Sequence, residues 1–401
     1  MFKLLSILIV LTVIRISPNE LHVAGAEFYK QIYNYHSPPK YGIFYEAFFA
    51  PGSLFGQLDI GKHREKRKMM NPLFSKRCIA GIYPLVLERV YRLSQRITER
   101  QNAAPINILD AYRCLTIDII SAFSFGMTLD LTSQAPENFK ADYLRIFDSA
   151  AGVQEQIYNN SVKRNILPKL PFWAVMFLDN RARGVAGLFK HAAMCLKEIN
   201  NHTNEVSYPV MFDKLGGYSD GEKISEAMEK LERELREHVV DPDQMPPLGD
   251  LEKLPYLVAC MKESLRVAMA VPGRLPRLVP ADGPPLVIDG KVIPPGAIIG
   301  CSAYSVHFDE SVWGPDARQF RPERWLTDDA KRLANYLVTF SKGSRQCIGI
   351  NLAEAELLAT FAHVFRKFDM ELVTKSLTPR DVFATVLAEG GIKVLLKQKS
   401  V

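Results

Sequence analysis

The stretch Phe340 to Gly349, FSKGSRQCIG, followed at once by the helical run INLAEAELLATFAHVFRKF, constrains this chain more than any other. A lone cysteine, Cys347, is set between two glycines, Gly343 and Gly349, with Arg345 two residues upstream and an apolar helix behind it. At a helix N-terminus the backbone N–H groups and the helix dipole favour a thiolate over a thiol, so the sulfur can be offered to a metal. Gly343 would let the backbone turn tightly beneath a flat group, and Gly349 would let the helix start lie close to it. The plain alternative is a small buried hydrophobe beside a glycine-rich turn.

The spacing Phe340-x-x-Gly343-x-Arg345-x-Cys347-x-Gly349 resembles the haem-ligand signature of the cytochrome P-450 family, in which one cysteine thiolate holds the haem iron. Two further stretches carry the resemblance in the family's own order. In LPYLVACMKESLRV, Glu263 and Arg266 stand at i and i+3 and face one another along a helix. In FRPERW, Arg324 resembles the third member of the family's Glu-Arg-Arg cluster. The resemblance implies a buried, bidentate ion-pair lock that holds the haem-binding loop and plays a structural part.

At 401 residues and 47% hydrophobic composition the chain can bury a large core. Its formal charge of +6 is too mild and too dispersed for a nucleic-acid partner, and leaves room for a weakly basic face toward an acidic protein. Six cysteines without close pairing argue against a disulfide framework or a zinc site. The first residues, MFKLLSILIVLTVIR, hold an apolar run from Leu4 to Ile14, about half the length of a bilayer-spanning helix. Residues 1–14 read as a short hydrophobic leader or remnant membrane anchor; a secretory signal is the other reading. RISPNELHV resembles an early sheet strand of the family. Residues 41 to 77 read as a loop entering one basic helix, KHREKRKMMNPLFSKR. Within it His63 and Arg67 match the spacing of an aromatic residue and an arginine that the family uses on the haem propionates. The resemblance adds Arg277 and Arg345 as further propionate residues.

From Ile79 to about Asn204 the apolar positions recur at helical spacing. Between Asn204 and Pro255 the family would place a long apolar helix carrying an acidic residue and a threonine. Here Gly216, Gly217 and Asp220 give only an echo of it, and a charged amphipathic run, GEKISEAMEKLERELREHV, follows. This reads as a deletion of most of the oxygen-activating helix, so that no catalytic acid-threonine pair is identifiable. Downstream, Asp289-Gly290 signals a two-residue hairpin, and DVFATVLAEGGIKVLLK reads as two short strands around Gly390-Gly391. In the family the tip of that turn reaches into the substrate pocket.

The expected fold is mainly α with a small β subdomain: a helical haem domain over residues 15–401, with small antiparallel sheets, incomplete within 204–255. The resemblance, closest to fungal members acting on terpenoid or other secondary metabolites, implies haem b and monooxygenation of a small lipophilic substrate. Electrons would come from an NADPH-dependent flavoprotein reductase, at the cytosolic face of the endoplasmic reticulum membrane. Two readings compete. One is a haem-thiolate isomerase or dehydratase that needs no dioxygen; the other is a non-catalytic product of a truncated gene.

Overall fold

The computed structural model describes residues 12–34, 38–46, 48, 50, 52–100, 104–134, 137–166, 169–178, 182–201, 221–282, 284–374, 378–387 and 391–399. In chain order its strands and longer helices are β1 (Val13–Ser17), β2 (Glu20–Val23), α1 (Ile60–Met70), α2 (Lys76–Thr98), β3 (Ile106–Asn107), α3 (Ile108–Phe125), α4 (Asp142–Asn159), α5 (Ala182–Asn201), α6 (Gly221–His238), α7 (Pro255–Ala268), β4 (Arg277–Leu278), β5 (Leu286–Ile288), β6 (Lys291–Ile293), β7 (Ile298–Cys301), α8 (Ile350–Lys367), β8 (Phe368–Leu372), β9 (Pro379–Val382), β10 (Ala384–Leu387) and β11 (Lys393–Gln398). The expected helical body with small sheets is what forms.

Local chemistry sets the helix starts. Asp59 caps α1 by accepting from Lys62 N (2.7 Å), and Ser75 caps α2 by accepting from Cys78 N. Helix α7 opens on Pro255, and the Glu234 carboxylate of α6 accepts the free N–H groups of Tyr256 (2.8 Å) and Leu257 (2.7 Å). Along α2, Ile79, Ile82, Val86, Val90, Leu93 and Ile97 recur every three or four residues and are buried. That stripe packs with α3, α6, α7 and α8 into the main core. Leu231 and Leu235 give the charged helix α6 its one apolar face in that core.

A second core lies under the sheet of order β1-β2-β7-β4 and includes Ile32, Tyr33, Trp313 and Trp325. Strands β3, β11 and β8 form a three-stranded antiparallel sheet against the main core.

Several expectations need correction. RISPNELHV is a hairpin of two strands, β1 and β2, and the sheets are not all antiparallel, because β2 runs parallel to β7 with Glu20 opposite Ile298. The basic helix is two helices: Asn71 to Phe74 turn before Ser75 restarts the chain as α2, and Pro72 is the residue that stops α1 from continuing. The presumed loop ahead of it holds a helical turn, Gly42–Glu46. The C-terminal segment makes three strands. Strands β9 and β10 pair through a turn at Phe383 (φ 85°), while β11 joins β8 and β3 instead. Gly390 lies outside the described residues, as do Gly216, Gly217, Asp220 and most of the leader. The hairpin at Asp289-Gly290 forms as expected, with φ of 50° and 69°. Among the described residues no helix is long and apolar enough to cross a membrane.

Candidate functional site

The lock is assembled from α7 and the segment after it. Glu263, Arg266 and Arg324 are at most 2% exposed. Arg266 grips Glu263 bidentately, Nε to Oε2 at 3.0 Å and Nη2 to Oε1 at 2.7 Å, and Arg324 Nε reaches the same Oε1 at 3.1 Å. The remaining donors of Arg266 bond to the carbonyls of His307 (2.7 Å), Ala317 (2.5 Å) and Gln319 (3.0 Å). Trp325 Nε1 and the Arg321 N–H, each at 2.9 Å, complete the carboxylate. Every strong polar group in this buried cluster is thereby matched, which is what lets it persist in a low-dielectric interior.

His307, which sequence reasoning missed, carries the lock to the cysteine loop. Its backbone C=O accepts from Arg266, while its Nε2 accepts the Val338 N–H at 2.9 Å. Burial, and then the nearby Arg266 charge, hold the imidazole near a pKa of about 3, so it stays a neutral acceptor. One residue on, Thr339 Oγ1 donates to Leu265 O on α7 at 2.7 Å. The chain then reaches Phe340, half-buried against the main core, whose C=O accepts the Cys347 N–H at 2.9 Å. That bond closes the loop on itself and sets Cys347 two residues before Gly349, the N-cap of α8. Gly343 does sit at a tight turn (φ 73°), yet the reason is a neighbour in the protein: a Cβ there would overlap the Asn34 carbonyl.

Around this loop the fold gathers positive charge. Arg67 Nη1 donates to Gln346 O, and its Nε donates to Asn71 Oδ1 at 2.9 Å. Arg345 donates to Gln57 O (2.7 Å) and Leu58 O (3.1 Å). Arg277 is 2% exposed with its Nε unpartnered, its guanidinium 5.4 Å from the Tyr33 ring centroid. Burial pushes the pKa of His63 down to about 4, and Arg345, Lys40, Arg67 and Arg277 push it the same way. Burial and then Arg277 lower Arg345 to about 10. The structure therefore brings together all four residues expected at the propionates and adds Lys40, with Tyr45 beside it, whose hydroxyl is buried and unpartnered. No motif marks those two residues, which arrive from a segment with no signature.

Buried cations that depress one another's proton affinity are costly unless an anion joins them. Arg277 Nε and Tyr45 Oη are buried without a hydrogen-bond partner, and Tyr45 lies within the influence of both Arg277 and Arg345. A haem, with two carboxylates at one edge and iron to receive a thiolate, fits the donor set of this basin and Cys347. An aromatic cluster adjoins Lys40 and Tyr45: the Phe48 ring lies 4.6 Å from Phe383 and 4.9 Å from Phe55, Phe55 lies 5.3 Å from Tyr45, and Phe44 closes on Phe383 at 6.1 Å. The turn that supplies Phe383 is the C-terminal hairpin tip, one strand earlier than expected.

The cytochrome P450 family profile matches residues 223–396. Cytochrome P450 monooxygenase macH of Penicillium terrestre is 30% identical over 407 aligned positions, covering 90% of this chain and 78% of the relative. Cytochrome P450 monooxygenase tpcC of Cochliobolus heterostrophus is 30% identical, covering 90% and 77%. Cytochrome P450 monooxygenase claJ of Penicillium crustosum is 29% identical, covering 96% and 98%. That last alignment runs over 442 positions against a chain of 401 residues, so residues of the relative stand opposite gaps here.

Proposed function

Because this chain belongs to the cytochrome P450 family and is a monooxygenase of its haem-containing fungal kind, we propose that it inserts one atom of dioxygen into a small lipophilic secondary metabolite, a terpenoid or a molecule of similar size and polarity, using NADPH-derived electrons from a flavoprotein reductase. The observation that carries this reading is the cationic basin around the cysteine loop, whose cluster of positive groups and unpartnered donors suits a dianionic haem edge.

Bound haem supplies the oxygen chemistry, and the protein supplies orientation and electrostatics. Cys347 would hold the haem iron through its sulfur, on a loop fastened by the Phe340 carbonyl and by the lock acting through His307 and Thr339. Arg67 and Arg345, each bonded to a backbone carbonyl of a neighbouring segment, would present positive charge to the propionates, and Arg277 Nε and the neutral His63 would supply further donors. Phe44, Phe48, Phe55 and Phe383 give an apolar surface that suits a lipophilic substrate and excludes water.

Between residues 204 and 255 the sequence holds no acid-threonine pair. That observation favours a second reading, the rearrangement or dehydration of an already oxygenated substrate. We propose that the chain sits at the cytosolic face of the endoplasmic reticulum membrane, attached through the apolar residues that precede β1.

The first test is the spectrum of the reduced, full-length protein with and without carbon monoxide. A strongly red-shifted Soret band, lost in Cys347→Ser, is the expected result; the absence of any haem band overturns the proposal. Turnover that requires NADPH, reductase and dioxygen supports monooxygenation, and product formed without dioxygen supports the second reading.

A further inference from the structure

Lys40 is an unusual neighbour for two arginines, Arg277 and Arg345. Its backbone is pinned beside Arg277 by an antiparallel bridge, with Leu278 N donating to Pro39 O at 2.9 Å and Tyr41 N to Pro276 O at 3.2 Å. The side chain is 8% exposed. Its Nζ donates to Phe55 O and lies over the rings of Tyr45, 4.4 Å from the centroid, and Phe55, at 4.9 Å. The Tyr45 hydroxyl, itself buried, has no partner. A lysine of which one carbonyl and two ring faces are the neighbours, beside an orphaned hydroxyl and an orphaned guanidinium nitrogen, is arranged for an acceptor that enters from outside.

We propose that Lys40 and Tyr45 bind one of the two haem carboxylates, and that this makes retention of haem proton-linked. The inference rests on the haem-thiolate reading above and extends it to a segment that carries no signature.

The linkage follows from what surrounds the amine. Arg345 comes from the cysteine loop, Arg277 from β4, His63 and Arg67 from α1, Tyr45 from the turn Gly42–Glu46, and Asp59 lies on the Arg345 side. Burial first, then Arg345 and Arg277, bring Lys40 down to about 6 within the protein's own surroundings. A carboxylate at Nζ favours the charged form, so the amine takes a proton from water as haem enters and returns it as haem leaves. A group whose pKa rises on binding holds its ligand best below the unliganded pKa. Grip is then lost as pH climbs through the window above about 6.

The experiment is haem transfer from the holoprotein to an excess of an apo-haem acceptor, followed by the Soret band at several pH values between 6 and 9. For the wild-type chain the loss rate should climb toward about tenfold per pH unit across the upper part of this range. Lys40→Met should lose haem at least about tenfold faster at the acid end and show a flat profile. Lys40→Arg, charged at every pH, should be flat and slow. Wild-type chain loaded with haem dimethyl ester should also be flat, which tests the idea without a substitution. An unchanged rate and slope in Lys40→Met, or a retained slope with the diester, overturns the inference while the thiolate band still supports the haem-thiolate reading. Absence of that band in the wild-type chain overturns both.

Discussion

Glu263 receives five hydrogen bonds: two from Arg266, one from Arg324, one from the Arg321 N–H and one from Trp325. Glu263→Gln keeps the volume and removes the charge. Three donors converge on Oε1 and two on Oε2, so the best amide orientation keeps its oxygen on the crowded side. Its NH2 group then faces Arg266 Nε and Trp325 Nε1, donor against donor. Two fully buried guanidinium groups meanwhile lose their counter-charge, a loss of about 3–5 kcal/mol for a broken buried pair. With an unfolding entropy of about 2.1 cal/mol/K per residue over a chain of this length, that is a Tm lower by roughly 4–6 °C. Because Arg266 also holds His307 O, and His307 holds Val338, slackness in the lock reaches the cysteine loop. Differential scanning fluorimetry of the holoprotein should show the lower Tm, and the ferrous–carbon monoxide spectrum should show part of the thiolate band replaced by a less red-shifted one. A variant melting within about a degree of wild type with its full thiolate band would refute the reasoning.

Other perturbations read different links. His307→Leu leaves the buried Val338 N–H unpaired, about 1–3 kcal/mol, whereas His307→Gln retains an acceptor; urea midpoints should fall clearly for Leu and little for Gln, and equal falls would count against the hydrogen bond. Gly343→Ala places a Cβ on the Asn34 carbonyl at a left-handed φ and should give protein with a weakened thiolate band; full haem loading would contradict that packing. Burial depresses His22 and His363 to about 4 and His307 to about 3, so the unfolded chain binds more protons below the ordinary value of 6.5. Their contribution is complete above pH 6.5 and declines as pH falls toward 4, roughly 1 kcal/mol per histidine at pH 5.5. A urea midpoint that does not drop between pH 7.5 and 5.5 would sink that account.

The lock and the cysteine loop were legible because their geometry is local: one helical turn fixes Glu263 against Arg266, and ten residues fix Cys347 in its loop. The Asp289-Gly290 hairpin was legible because its turn chemistry is carried by two adjacent residues that tolerate positive φ. The turn at Phe383 was hidden for the opposite reason. A phenylalanine at φ 85° has no signature, while the neighbouring glycine pair drew the assignment away. The end of α1 was readable after all, since Pro72 followed by Ser75 is a stop and a start. Lys40 and Tyr45 join the basin only because a backbone bridge places residue 40 beside residue 277, a proximity that no local pattern encodes.

The pairing of β2 with β7 has a consequence for how the chain comes into being. Glu20 finds its strand partner at Ile298, and Ile106 finds its own at Val394. Closing such spans is an entropic charge that must be met before any contact rewards it. During synthesis from the N-terminus, β2 and β3 leave the ribosome long before the residues that satisfy their backbone groups exist. The α2 and α3 helices can collapse early, whereas the sheet of β2 waits for Cys301 at the end of β7 and that of β3 stays open until nearly the last residue is added. A chain interrupted even a few residues before β11 would thus expose β3 as an unpaired edge, leaving a ready substrate for chaperones and proteases.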